Sequence, residues 1–205
     1  MSEPFGGVPS RWSPSGDSAG LMLVLPGVGY GPASPLLEYA RQAGLAAGLI
    51  VQQVFWDVPK DLADPVAWVR DQAQSALAGE PPDVPVMVVA KSLGTFATGY
   101  AASRSLPAIW LTPLLGQPET VEGIRANSAR QLLVGGTGDD RWDADLAASL
   151  ALADGVDVLQ VDGADHAMLV EGDPVRSAEI LVEVTRAMVR FLADRGGTSV
   201  SFLPL

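Results

Sequence analysis

Ser92 stands in the run Ala90-Lys91-Ser92-Leu93-Gly94, after a short apolar stretch at 86–90 and before a helix-compatible stretch at 93–103. A serine on so tight a strand-to-helix turn projects its hydroxyl out of the sheet. The turn closes only with small residues two places before and two places after the serine. Ala90 and Gly94 fill those places. The N–H of Leu93, at the helix start, points to where negative charge develops when the serine attacks a carbonyl. A serine ahead of a helix is in most chains only a cap, so the chemistry needs partners.

A serine hydroxyl is a weak nucleophile near neutral pH without a base beside it. The chain has one histidine, His166, in the loop Asp162-Gly163-Ala164-Asp165-His166-Ala167-Met168. That loop follows the last expected strand and opens at the carboxyl edge of the sheet, where the serine turn also lies. The base in turn needs a carboxylate to fix its tautomer. Gly135-Gly136-Thr137-Gly138-Asp139-Asp140 follows the strand at 131–134 and carries acids to the same edge. Asp139 is the first choice and Asp140 the reserve; one of the two is expected to cap the next helix. Asp165 adjoins His166, but side chains adjacent in a loop usually diverge.

The elements that must place these groups alternate regularly. Apolar runs at 21–25, 49–55, 86–90, 108–111, 131–134 and 156–161 are each closed by Gly, Pro or Asp. They are apolar almost throughout, as expected of strands covered on both faces. Ser34-Pro35, Asp64-Pro65 and Asp173-Pro174 each set a capping side chain before a proline at the first helical position. In the last helix Ile180, Leu181, Val184, Met188, Phe191 and Leu192 form one apolar stripe. The order predicts an α/β fold: a doubly wound, mostly parallel sheet with helices on both faces. Residues 1–20 read as an N-terminal segment able to add an edge strand, 21–195 as the domain, and 196–205 as a tail.

The order Ser92, Asp139, His166, with the pentapeptide around Ser92, resembles the α/β-hydrolase superfamily over most of the chain. Gly136-Thr137-Gly138-Asp139 is similar to that family's acid turn, and Asp165-His166-Ala167-Met168 to its histidine loop. Pro26-Gly27-Val28-Gly29 is similar to its oxyanion loop, with Pro26-Gly27 where His-Gly is usual and Ala90 where the elbow usually has glycine. The resemblance makes the Val28 N–H a second oxyanion donor beside that of Leu93. It implies a small, lidless hydrolase like the dienelactone-hydrolase-like branches, because residues 108–131 leave room for about one helix.

Loops at the carboxyl edge bring Tyr30, Trp56, Trp110, Thr112, Trp142 and Met168 forward as the expected pocket for an apolar acyl or alcohol group. Lys91 is expected to turn away from the substrate. The leading expectation is hydrolysis of a carboxylic ester or thioester through an acyl-Ser92 intermediate. Acyl transfer or elimination at the same site, and a non-catalytic binding protein of the same fold, remain as alternatives.

The resemblance implies a small-molecule acyl substrate, and composition argues against other partners. Thirteen Lys and Arg against 24 Asp and Glu give a formal charge of −11, which repels nucleic acid and anionic membranes. There is no cysteine, and the lone histidine forms no metal cluster, so no cofactor and no metal are expected. Without a secretory signal in the first twenty residues or a ~20-residue apolar run, the expectation is a cytoplasmic monomer or homodimer.

Overall fold

The computed structural model describes residues 10–194. The strands are β1 (Arg11–Trp12), β2 (Leu21–Leu25), β3 (Ile50–Gln53), β4 (Val86–Lys91), β5 (Ala108–Leu111), β6 (Gln131–Gly136) and β7 (Val156–Val161). The helices are α1 (Pro35–Ala46), α2 (Pro65–Ala76), α3 (Thr98–Ser103), α4 (Pro118–Ala126), α5 (Ala144–Leu150) and α6 (Pro174–Ala193). A 3-10 turn over Ser92–Ala97 joins β4 to α3. The expected helix at 93–103 therefore begins as a tighter coil.

The strands form one sheet in the order β1-β3-β2-β4-β5-β6-β7. All neighbours are parallel except β1, which pairs antiparallel with β3 through Arg11↔Gln52 and Trp12↔Val51. From β2 the chain steps outward to β3, then returns to the other side of β2 as β4. The loops after β2 and β4 thus leave adjacent strands in diverging directions, the place where such sheets bind ligands.

Alternate side chains of β2 face two separate cores. Leu21, Leu23 and Leu25 pack with Val69, Ala73, Phe96, Ile124 and Leu150, under α2, the 3-10 turn, α4 and α5. Met22 and Val24 pack with Leu36, Leu37, Ile180, Val184 and Met188, under α1 and α6. Each apolar side chain of this size contributes about 1.5–3 kcal/mol on full burial. In the expected α6 stripe, Leu181 is only half-buried; the other five side chains are buried.

Two of the three expected caps form. Asp64 accepts from the Ala67 N–H and Asp173 from the Arg176 N–H, both at 2.9 Å. Ser34 occupies the N-cap position of α1, but its side chain makes no cap bond. Between β5 and β6 the chain forms one helix, α4, and no lid. The tail expected at 196–205 lies outside the described residues.

Candidate active site

Leu25 ends a buried strand and Lys91 ends its neighbour, so the two loops that follow meet at once. The Gly94 N–H donates to the Pro26 carbonyl at 3.1 Å. A Cβ on Gly94 would lie 2.7 Å from the Leu25 carbonyl oxygen, so only glycine lets the backbones approach this closely. Ser92 itself sits at φ +50°, a left-handed conformation that costs a non-glycine residue energy. The strain holds the hydroxyl at the crest of the turn.

The second half of the site is a pair of loops locked by backbone contacts. The Thr137 N–H donates to Val161 O and the Gly138 N–H to Ala164 O, each at 3.0 Å. The Thr137 hydroxyl donates to Asp162 Oδ1 at 2.9 Å and accepts from the Gly163 N–H at 2.8 Å.

These elements bring Ser92, His166 and Asp139 into one line. His166 Nε2 is 2.8 Å from Ser92 Oγ, and His166 Nδ1 is 2.7 Å from Asp139 Oδ2. A carboxylate only accepts, so the Nδ1 proton faces Asp139 and Nε2 is left to accept from the serine. Asp139 is buried, and its other oxygen accepts from the Arg141 N–H at 2.9 Å. Burial is the largest influence on His166 and lowers its pKa. The Asp139 hydrogen bond opposes that shift, and the Lys91 charge adds to it. On balance the neutral imidazole is favoured.

The reserve acids lie elsewhere. Asp140 is exposed and meets the Arg141 side chain at 3.3 Å. Neither it nor Asp139 caps the next helix; Asp143 does, accepting from the Leu146 N–H at 2.9 Å. Asp165 turns back on its own loop and accepts from the Ala167 and Leu169 N–H groups.

Val28 lies in the loop after β2, its side chain exposed and its N–H without an acceptor among the described residues. Leu93 is the second residue of the 3-10 turn, where an N–H has no preceding carbonyl within the helix. The loop closes through the Gly27 N–H on Tyr30 O at 3.1 Å. A cavity of about 630 Å³ opens beside it, lined by the loop's residues and by Phe55, Trp56, Asp57 and Val58. Gly27 forms the wall toward Ser92: a Cβ there would lie 3.2 Å from Ser92 Cβ.

Of the six expected pocket residues, Tyr30 and Trp56 line that cavity. Trp110 is fully buried in the core, where its indole N–H donates to Gln131 Oε1 at 2.9 Å. Trp142 packs over Gly135 and donates to Gln160 Oε1. Thr112 and Met168 are buried beneath the site, at φ +45° and +62°. These four are corrected to structural positions, because a strand end delivers a side chain downward as readily as upward. Trp56 does line the cavity, with its ring 4.9 Å from that of Trp68. Phe55 and Val58 were not foreseen, although the loop after β3 opens beside the point where the chain reverses.

Lys91 does turn away from the cavity, as expected, and is 1% exposed. Its ammonium donates to Thr112 Oγ1 at 3.0 Å and to the His166 carbonyl at 2.8 Å, 4.5 Å from the centre of the Tyr30 ring. Burial is the main cause that lowers its pKa to about 8.

Among the described residues no cluster of three or more His, Asp or Glu is arranged to hold a metal. No helix there is long and apolar enough to cross a membrane.

No protein-family model and no curated protein matches the chain. Solved structures do. Est1E from Butyrivibrio proteoclasticus, with ferulic acid bound, superimposes with a TM-score of 0.71 at 14% identity, over 95% of this chain and 98% of that one. An alpha-beta serine hydrolase homologue from Coxiella burnetii gives 0.69 at 14% identity, over 88% of each chain. XC6422 from Xanthomonas campestris, an a/b serine hydrolase without lid, gives 0.59 at 14% identity, over 92% and 89%. The fold is therefore the α/β-hydrolase fold. Its form here is the minimal, lidless one.

Proposed function

We propose that the protein is a serine hydrolase that cleaves a carboxylic ester or thioester through an acyl-Ser92 intermediate. The observation that carries this reading is the bridge made by His166, within 2.8 Å of Ser92 Oγ and 2.7 Å of Asp139 Oδ2. Isolated side chains have no reason to align this way on three separate loops.

In the first half-reaction His166 Nε2 takes the Ser92 proton as Oγ bonds to the acyl carbon. The resulting oxyanion is held by the N–H groups of Val28 and Leu93. Collapse expels the alcohol or thiol, which receives the proton from His166. Water then enters, gives a proton to His166, and attacks the acyl carbon. Ser92 recovers that proton as the acid product leaves. Asp139 keeps the Nδ1 proton throughout and stabilises the charged imidazole.

Tyr30, Phe55, Trp56 and Val58 give the adjoining cavity a largely apolar, aromatic lining suited to an apolar acyl or alcohol group. The test is turnover of p-nitrophenyl esters and acyl thioesters with pre-steady-state detection. A burst of the leaving group equal to enzyme concentration, together with an acyl adduct on Ser92, is expected. Turnover that persists in Ser92→Ala would contradict the covalent route.

A further inference from the structure

Burying an ammonium is expensive, and an apolar side chain of Lys91's length would fill the same space at less cost. The charge therefore calls for a role. Lys91 does not reach substrate, because it is 1% exposed, and the steps above do not use it. Yet it lies at the junction of three loops that build the site. Thr112 comes from the end of β5, His166 from the loop after β7, and Tyr30 from the loop after β2. Tyr30 is itself anchored, since its hydroxyl accepts from the Leu36 N–H at 3.0 Å.

We propose that Lys91 is a positioning residue: its ammonium ties the His166 backbone to Thr112 beneath the Tyr30 ring, and its charge keeps the imidazole neutral between turnovers. This rests on the reading of Ser92 and His166 as nucleophile and base.

The electrostatic half follows from which charges share the space. The ionisable groups facing Lys91 are Asp139 and Asp165, which favour its charge, Arg141, which opposes it, and the His166 and Tyr30 side chains. A cation held on the His166 carbonyl disfavours charge on the imidazole of the same residue. It disfavours imidazolium less once an oxyanion forms beside it, because the ammonium's attraction to that anion offsets part of its repulsion of the ring. The resting base is thus kept ready without a matching cost in the transition state.

The positional half concerns the backbone. Met168 at φ +62° and the turn from Asp165 to Leu169 leave the His166 carbonyl pointing inward, where, among the described residues, only Lys91 Nζ meets it. Losing that bond lets the imidazole shift, and a displacement of about 1 Å costs on the order of 100-fold in rate.

The chain's single histidine makes the test direct. Protein made without a histidine tag gives one imidazole signal, whose NMR titration reads His166 with no assignment. Wild type, Lys91→Gln and Lys91→Met are titrated, and their rates of labelling by a fluorophosphonate are followed against pH. The His166 pKa and the acid limb of labelling are expected to rise by at least about half a pH unit in both variants. At pH 7 the labelling rate should fall about 10- to 100-fold in Lys91→Met, and less in Lys91→Gln, which keeps a donor. In the wild type the imidazole signal should show a second inflection near pH 8, where Lys91 titrates. That measurement stands even if both variants fail to fold.

An unmoved His166 pKa in folded variants overturns the proposal, with or without a loss of rate, and reduces Lys91 to packing. So does the absence of the second inflection. Wild type that is never labelled defeats the hydrolase reading instead, while the NMR titration still reports on the Lys91–His166 coupling.

Discussion

The Gly138 N–H donates to the Ala164 carbonyl over 3.0 Å, so the turn that carries Asp139 and the loop that carries His166 close on each other backbone to backbone. The 2.7 Å contact between the two side chains is thus set by main-chain geometry, with little freedom left to the rotamers.

Gly136 is where this closure is tightest. A Cβ there would lie 2.1 Å from the Ala164 carbonyl oxygen, a backbone atom that cannot yield cheaply. Gly136→Ala should destabilise the fold by about 1–3 kcal/mol, as overpacking does. It should also lower activity more than a surface substitution of equal stability cost. Chemical denaturation read beside ester turnover checks both.

The two neighbouring acids should separate cleanly. Asp139→Asn removes the carboxylate bonded to His166 and should lower kcat by about 10³- to 10⁴-fold with the fold intact. Asp140→Asn touches only the exposed Arg141 side chain and should leave kcat within about twofold. Steady-state kinetics on the pair distinguish them.

The pH profile has a definite sign. Burial, the largest influence, lowers the His166 pKa below the ordinary 6.5, so the neutral base is already populated where a free imidazole is half-charged. The acid limb of kcat/KM should therefore fall below pH 6.5, and activity should be lost only as pH drops through that lower value. A limb at or above 6.5 would contradict the electrostatics described.

The core under α6 carries the stability of the sheet's second face. Met188 is fully buried with Ile180 and Val184. Met188→Ala should cost about 2–5 kcal/mol without changing kcat per titrated active site. Denaturation midpoints and titration of reactive serine separate the two effects.

The sheet was legible because its strands are covered on both faces and so read as unbroken apolar runs. Strand ends were less so: the run at 49–55 yields only Ile50–Gln53, although the Val54 N–H still donates to the Val24 carbonyl at 3.0 Å. Ser92, Asp139 and His166 were legible because each follows a strand at one sheet edge. The pocket was not. Whether Trp110 or Trp56 faces the cavity depends on side-chain direction, and a fully buried strand carries no alternation to reveal it. Lys91 was foreseen to leave the substrate but not to gather three loops beneath it. Thr112 and Tyr30 give no local sign that they meet an ammonium 21 and 61 positions away.

The central claim is an activated Ser92, and intact-mass analysis after exposure to a fluorophosphonate tests it most directly, on wild type and Ser92→Ala in parallel. One adduct per wild-type chain and none on the folded variant is the predicted result. A folded wild type that takes no adduct, or a variant that takes the same one, would contradict it.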